Sequence, residues 1–254
     1  MKLIYLAKRH RGEFIRYLLV NSKIRYEEEI LTPAVWEERK AEFRNRSLPL
    51  LIVNDVPLEH PLAIARYLAG LSGLVPQSSI DQAQCDMIAE RVMTAIDKLH
   101  SLLRARKDSV VAAITGSGVK IVEPDPGTKA GDEDSESVAN GERLKTIKEE
   151  KEEEEKPAEN PADVFFNETY YPLIDFAESK LEANVTDKKH LVGTSLTWAD
   201  IMVAEFVDRM SKLFTDKDVF DSGTKYPLIK AHCDAVHAIP TIRSYTNIRK
   251  PMDS

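Results

Sequence analysis

Cysteine is scarce in this sequence, and long apolar runs are absent from it. The two cysteines, Cys85 and Cys233, lie far apart and fit neither a metal-binding nor a redox spacing. We therefore expect structural thiols in a reducing compartment, and no metal site. No apolar run is long enough to span a membrane, and the apolar patch before the first charges is too short for a signal-peptide core. These absences predict a cytoplasmic protein without a membrane partner.

An excess of positive charge is also missing. The 254 residues carry a formal net charge of -7, which argues against a general nucleic-acid binder. Gly116, Ser117 and Gly118 resemble part of a phosphate-binding loop, but no Lys-Ser or Lys-Thr pair follows them, so we reject that interpretation. With 43% hydrophobic residues, the chain is long enough to bury one sizeable core or two small ones.

The first 75 residues alternate between strand and helix patterns. The predicted elements are strands at 2–6 and 24–31, helices at 12–22 and 32–43, a hairpin of strands at 48–53 and 56–60, and a helix at 62–71. Thr32 followed by Pro33 is typical of a helix start, and Asn54-Asp55 is typical of a hairpin turn. The order βαβαββα predicts a small α/β layer with a mixed sheet in residues 1–75.

Residues 79–254 show helix patterns only. The spacing of Ile88, Val92 and Ala95 predicts a long amphipathic helix from residue 79. Further helices are predicted at 162–183, from Thr197, and at 226–238, the last ended by Pro240. Residues 109–161 interrupt this all-helical domain. Most of this segment is rich in charge, Gly, Pro and Ser, and we expect it to be a disordered acidic insert.

Several motifs together resemble those of a known family. The matching pieces are "LIYLAKRHRGEFIRYLL", "VWEERKAEF", "LPLLIV", "LAIARYLAG" and "LVGTSLTWAD". The chain resembles the cytosolic glutathione S-transferases, most closely the sigma-like group of prostaglandin D synthases, helminth and insect enzymes, and lens S-crystallins. The resemblance implies a thioredoxin-like N-terminal domain, a helical C-terminal domain, a homodimer, and glutathione as co-substrate.

The resemblance also implies roles for individual residues. Tyr5 matches the catalytic tyrosine, whose O–H favours the thiolate form of glutathione by donating to its sulfur. Arg11 matches an arginine that supports this tyrosine. Trp36 and Lys40 match the pair that meets the glycine end of glutathione. The remaining matches are Leu48 and Pro49, joined by a cis peptide bond that would leave the Leu48 backbone facing the tripeptide.

The opposite end of the tripeptide is where the sequence departs from the family. His60 and Pro61 stand where the family usually has Gln-Ser, which holds the γ-glutamyl carboxylate. Pro61 offers neither a hydroxyl nor an N–H, although His60 and the Leu62 N–H would compensate in part. Glu90 matches an acid that reaches the glutathione of the neighbouring subunit.

Two hypotheses for the function follow. The first is an enzyme that conjugates glutathione to a small hydrophobic electrophile, with isomerase or peroxidase side activities open. The isomerase chemistry would need an apolar pocket, whose walls are expected around residues 93–103 and from the C-terminal residues. The second is a catalytically weak or inactive relative, structural like S-crystallin or an interaction protein. A third interpretation, a translation-factor-type scaffold, rests on the charged insert and fold analogy alone and ranks last.

Overall fold

The computed structural model describes residues 1–43, 47–116, 159–220 and 225–249. Its strands are β1 (Lys2–Leu6), β2 (Glu27–Leu31), β3 (Leu50–Val53) and β4 (Val56–Glu59). Its α-helices are α1 (Glu13–Ser22), α2 (Pro33–Arg39), α3 (Pro61–Leu71), α4 (Ser79–Gly116), α5 (Pro161–Phe165), α6 (Tyr171–Ala183), α7 (Trp198–Leu213), α8 (Pro227–His237) and α9 (Pro240–Ile248). A π-helical stretch, Phe166–Tyr170, joins α5 to α6.

The strands form the predicted mixed sheet. Their order is β2-β1-β3-β4, with β1 parallel to β2 and antiparallel to β3, and β3 antiparallel to β4. Asn54 and Asp55 both adopt positive φ angles, 47° and 65°, as a two-residue hairpin turn requires. The βαβαββα order is thereby confirmed. Thr32 caps α2, because its side chain accepts a hydrogen bond from the Val35 N–H.

The two faces of the sheet are buried in different clusters. Leu3 and Leu51 pack into the main core with α1, α3 and the helical domain. Ile4 and Leu50 point to the other face, where Trp36 of α2 covers a smaller apolar cluster. Because side chains alternate along a strand, this arrangement determines which face of the sheet each residue of β1 occupies.

The helical domain follows the predicted elements over most of its length. Asp200 anchors the start of α7 by accepting hydrogen bonds from the backbone N–H groups of Thr197 (2.7 Å) and Leu191 (2.8 Å). Helix α4 continues to Gly116, into the segment predicted as the insert. Residues 117–158 of that segment lie outside the described residues, so the disorder predicted for them stays a prediction.

The prediction that the helix at 226–238 is the last one is wrong. Helix α8 ends at His237, and Pro240 begins a further helix, α9. Proline is favoured at the first position of a helix because the N–H that it lacks would have no partner there. Helix α9 packs against α1 and brings Arg249 to the buried Glu13, at 2.6 Å.

Candidate active site

A cleft of about 690 Å³ opens between the sheet and α4. Four residues predicted for glutathione lie together in its lining: Tyr5, Arg11, Trp36 and Leu48. Residues of α4, including His100, form the opposite wall. The cleft therefore lies where the two predicted domains meet, which is a common place for a small-molecule site.

Tyr5 lies near the end of β1 and is 3% exposed. Its ring packs directly on Gly12, the last residue before α1, and a Cβ at that position would overlap ring carbons Cδ1 and Cε1 of Tyr5. The guanidinium of Arg16 lies 5.6 Å from the ring centre. Glycine is thus required at position 12 for the close approach of backbone and ring, and the ring is held firmly.

Among the residues that the structure describes, the hydroxyl of Tyr5 has two hydrogen-bonding neighbours. The backbone N–H of Arg11 donates to the oxygen at 3.1 Å, and Nδ1 of His10 lies 3.4 Å away. Burial raises the pKa of Tyr5, while the Arg11 N–H and nearby arginines oppose that rise. The phenol is therefore protonated at neutral pH and can act as a hydrogen-bond donor in the cleft.

Arg11 contributes its backbone and its side chain to different partners. Its backbone N–H donates to the hydroxyl oxygen of Tyr5. Its guanidinium donates two hydrogen bonds to Oδ1 of Asp97 on α4, from Nε at 2.8 Å and from Nη2 at 2.6 Å. This ion pair joins the loop after β1 to the helical wall of the cleft. Since the pair is partly exposed, we ascribe to it a role in positioning rather than in stability.

The wall of the cleft is basic rather than apolar. Arg104 and Lys107 of α4 and Lys8 of the loop after β1 line the cleft, and no ion pair to any of them occurs among the described residues. Two acids, Asp108 and the Lys40-paired Glu37, line it as well, so positive charge is in excess. The apolar side chains expected to form this wall lie elsewhere, since Met93 and Leu102 are each 8% exposed and belong to the main core. The helix therefore turns its polar face to the cleft and its apolar face to the domain.

Two imidazole rings stand in the same wall. His10 and His100 lie against each other with ring centres 4.2 Å apart and ring planes tilted by 38°. Burial lowers the pKa of His10 to about 3, with the neighbouring positive charges and His100 adding to the effect. His10 is therefore neutral at physiological pH.

The residues predicted for the glycine end are only partly in the cleft. Trp36 lines it and packs on Phe43, with ring centres 5.5 Å apart, whereas Lys40 pairs with Glu37 and lies outside the lining. The Leu48-Pro49 peptide bond is cis, as the resemblance implied. Pro49 itself is buried behind Leu48.

The residues predicted for the γ-glutamyl end lie outside the lining. His60 is exposed, its side chain caps nothing, and its backbone has φ 66° and ψ 122°. A non-glycine residue held in this region costs roughly 1–3 kcal/mol, which points to constraint by its surroundings. Pro61 is the first residue of α3. Glu90 lines a separate cavity on α4 with Arg91, and so does not face the cleft of its own chain.

A buried network of charges supports the loop that carries Tyr5. Arg16 is fully buried and binds Glu13 (3.1 Å) and Glu28 (2.6 Å). Asp208 of α7 accepts hydrogen bonds from Arg9 (2.8 Å) and Arg249 (3.0 Å). Because the network ties β2, α1, α7 and the end of α9 together, it fixes the floor of the cleft across both domains.

Several site residues were not predicted from the sequence: His10, Gly12, Asp97, His100, Arg104 and Lys107. The four on α4 follow the spacing of one helical face, so the signal was present as a polar stripe on an otherwise amphipathic helix. Gly12 and His10 carry no such signal, because their roles depend on how closely the loop approaches Tyr5.

Known proteins support the fold and the family. Residues 142–249 match the family model described as the glutathione S-transferase C-terminal domain. The chain is 28% identical to hematopoietic prostaglandin D synthase from Gallus gallus, over 98% of this chain and 96% of that one. It is also 28% identical to a probable glutathione S-transferase of Caenorhabditis elegans, over 96% and 94%. A monomeric glutathione S-transferase from Necator americanus has the same fold, with a TM-score of 0.69 and 23% identity, covering 100% of this chain and 98% of that one.

In sequence and in fold the chain is similar to cytosolic glutathione S-transferases, and its relatives include the prostaglandin D synthases that the resemblance pointed to. Its architecture is the one that the resemblance implied, a thioredoxin-like N-terminal region followed by a helical domain. Within the described residues, no helix is long and apolar enough to cross a membrane. The same residues contain no cluster of three or more side chains suited to holding a metal ion.

Proposed function

We propose that this protein is a glutathione S-transferase that joins the thiolate of glutathione to small electrophiles. The observation that carries the proposal is the position of the Tyr5 hydroxyl. It is protonated, fixed by Gly12 and the Arg11 N–H, and reaches the cleft that Trp36 and Leu48 also line.

The reaction needs one hydrogen-bond donor to the sulfur and one nucleophilic displacement by the sulfur. The Tyr5 O–H donates to the sulfur of bound glutathione, which lowers the pKa of the thiol and lets its proton pass to solvent. The sulfur electron pair then forms a bond to the electrophilic carbon, while the bond to the leaving group breaks and its electron pair departs with that group. Tyr5 keeps its proton throughout.

The tripeptide is held unevenly along its length. Trp36 and the backbone of Leu48 are suited to the glycine and cysteine parts, whereas Lys40 would have to leave its pair with Glu37 to reach the glycine carboxylate. At the γ-glutamyl end, Pro61 removes a hydroxyl and an N–H, and hydrogen bonds to a charged group are worth about 1.5–3 kcal/mol each. His60 and the Leu62 N–H would replace part of this contribution.

The second substrate is an electrophile that combines an apolar body with an anionic group. Leu6 and Trp36 offer apolar surface in the cleft, and Lys8, Arg104 and Lys107 offer positive charge. A carboxylate-bearing electrophile should therefore show a higher kcat/KM than its methyl ester, and Lys107→Gln should reduce that preference. Equal rates for acid and ester in the wild-type protein would contradict this assignment.

A homodimer in the cytoplasm is also part of the proposal. Glu90 faces away from its own cleft, so any contact with glutathione would be in a partner subunit. Sedimentation of the purified protein tests the dimer, and weaker glutathione binding by Glu90→Gln in that dimer tests the contact. A monomer would contradict both, and the Necator americanus structure shows that monomers exist with this fold.

A second candidate is a structural or interaction protein of the S-crystallin type. The position of His60 and Pro61 outside the cleft lining favours it. An isomerase or peroxidase activity would need the same thiolate, and so would be lost together with conjugation. An assay of glutathione conjugation distinguishes the structural role from the conjugation, isomerase and peroxidase activities.

The test is conjugation of glutathione to an activated chloronitrobenzene. We expect turnover in the wild-type protein and a loss of about 100-fold or more in Tyr5→Phe, because removing one fixed hydrogen-bond donor to a developing negative charge costs a factor of that order. Tyr26→Phe is the matched control, since Tyr26 lines a different cavity beside α9. Full activity of Tyr5→Phe would refute the assignment of Tyr5, and a folded wild-type protein without turnover would favour the structural role.

A further inference from the structure

The Tyr5 oxygen has room for three hydrogen bonds. A phenol donates one through its proton and accepts up to two through its lone pairs. The Arg11 N–H occupies one lone pair at 3.1 Å. The other protein neighbour is Nδ1 of His10 at 3.4 Å, and its protonation decides where the phenol proton can point.

The surroundings of His10 keep its ring neutral. Lys8 and Arg11 from its own loop, His100 and Arg104 from α4, and Arg209 from α7 are the positive or titratable groups around it. Burial lowers the pKa of His10 to about 3, and His100, Arg209, Arg11 and Lys8 add to the effect. A neutral imidazole carries a single N–H, either on Nδ1 or on Nε2.

The two ring nitrogens of His10 have different surroundings. Nε2 is buried and has no hydrogen-bond partner among the described residues, whereas Nδ1 faces the Tyr5 oxygen. Nε2 lacks a partner among these residues in either tautomer, but a proton there would make it a buried donor without an acceptor, which is rarer in proteins than a buried acceptor without a donor. A proton on Nδ1 has an acceptor, so this tautomer is favoured.

We propose that His10 is a positioning residue for Tyr5, and that its Nδ1–H donates to the phenol oxygen. Together with the Arg11 N–H, this bond fills both lone pairs of the oxygen, so the hydroxyl proton turns toward the thiol in the cleft. Two donors to the oxygen also make the O–H a stronger donor to the sulfur. This inference rests on the proposed function of Tyr5.

The tautomer can be measured without turnover. Nitrogen NMR of protein labelled with ¹⁵N-histidine distinguishes a protonated from an unprotonated ring nitrogen. The signals of His10 are those missing from His10→Phe, a variant that keeps a ring against His100 and lacks nitrogen. We expect protonated Nδ1 and unprotonated Nε2 at neutral pH, and the opposite tautomer would overturn the proposal.

The effect on the thiol is the second readout. Ultraviolet absorbance of the thiolate gives the pKa of bound glutathione in the wild-type protein, His10→Phe and His10→Asn. In His10→Phe we expect a higher thiol pKa and a kcat/KM at neutral pH roughly three- to tenfold lower, the worth of one hydrogen bond, with KM for glutathione unchanged. His10→Asn should recover part of the loss, because its amide N–H can take the place of Nδ1–H.

Two outcomes separate this inference from the proposed function. An unchanged thiol pKa in His10→Phe would overturn the role of His10, because the ring would then have no effect on the thiol. A lower thiol pKa would also overturn it, because the ring would then compete with the sulfur for the phenol proton. A wild-type protein that forms no thiolate would refute the proposed function, and the NMR tautomer would still decide which way the His10 bond runs.

Discussion

The two ends of the predicted glutathione site differ in how the protein holds them. At one end Tyr5 is buried, packed on Gly12 and hydrogen-bonded to the Arg11 backbone. At the other end His60 is exposed, and neither it nor Pro61 lines the cleft. Activation of a thiol depends on a donor fixed to within a fraction of an ångström, whereas a carboxylate at the surface can be held by several alternative groups. Substitution is therefore tolerated better at the His60 end.

The largest effect is expected from breaking the support beneath Tyr5. Arg16→Met leaves the buried Glu13 and the partly exposed Glu28 without their shared partner, and loss of one member of a buried ion pair costs about 3–5 kcal/mol. Denaturant unfolding should show this loss. Lys230→Met, which removes an exposed pair with Asp234, is the control and should unfold like the wild-type protein. Equal stability of Arg16→Met would show that the network does not hold the cleft.

Acid should destabilise the Tyr5 end through His10. The pKa of His10 is about 3 in the folded protein against an ordinary value of 6.5, so the unfolded chain binds the proton more tightly between these values. Stability is then complete above about pH 7 and falls as the pH drops, by about 2 kcal/mol at pH 5. In His10→Gln this fall should be smaller by that amount. An identical pH profile for both proteins would contradict a buried, neutral His10.

A smaller effect is expected from crowding the Tyr5 ring. Gly12→Ala places a methyl group against ring carbons Cδ1 and Cε1, so the ring must shift. Overpacking of this kind costs about 1–3 kcal/mol, and we expect kcat/KM to fall about tenfold or more. Gly70→Ala is the matched control, because a Cβ there meets nothing within 4 Å. Wild-type turnover in Gly12→Ala would show that Tyr5 does not need its observed position.

The sequence predicted the fold well because its signals are local. Thr32-Pro33 and Asn54-Asp55 mark a helix start and a turn through their own backbone preferences, and both occur as predicted. The prediction at Pro240 was wrong because a proline that follows one helix can also begin the next. Only the packing of α9 on α1 decides between these possibilities.

The site was predicted less completely, since much of it depends on close approach in space. Tyr5, Arg11, Trp36 and Leu48 meet in one cleft, as the resemblance implied. His10 had no motif to mark it, and Asp97 was marked only as part of the polar stripe on α4. The roles of both appear only when the loop after β1 is placed against α4. The basic wall could not be predicted either, because the sequence leaves open which face of α4 turns to the cleft. Only the placement of α4 against the sheet decides this.

The most direct test of the difference between the two ends is calorimetric titration of glutathione into the wild-type protein and Pro61→Ser. The serine restores a hydroxyl and an N–H at the start of α3, and each hydrogen bond to a carboxylate is worth about 1.5–3 kcal/mol. We predict that Pro61→Ser binds glutathione at least about tenfold more tightly, with an unchanged thiol pKa. Equal or weaker binding by a folded Pro61→Ser would contradict the account, because it would show that the γ-glutamyl end is already fully held or takes no part in binding.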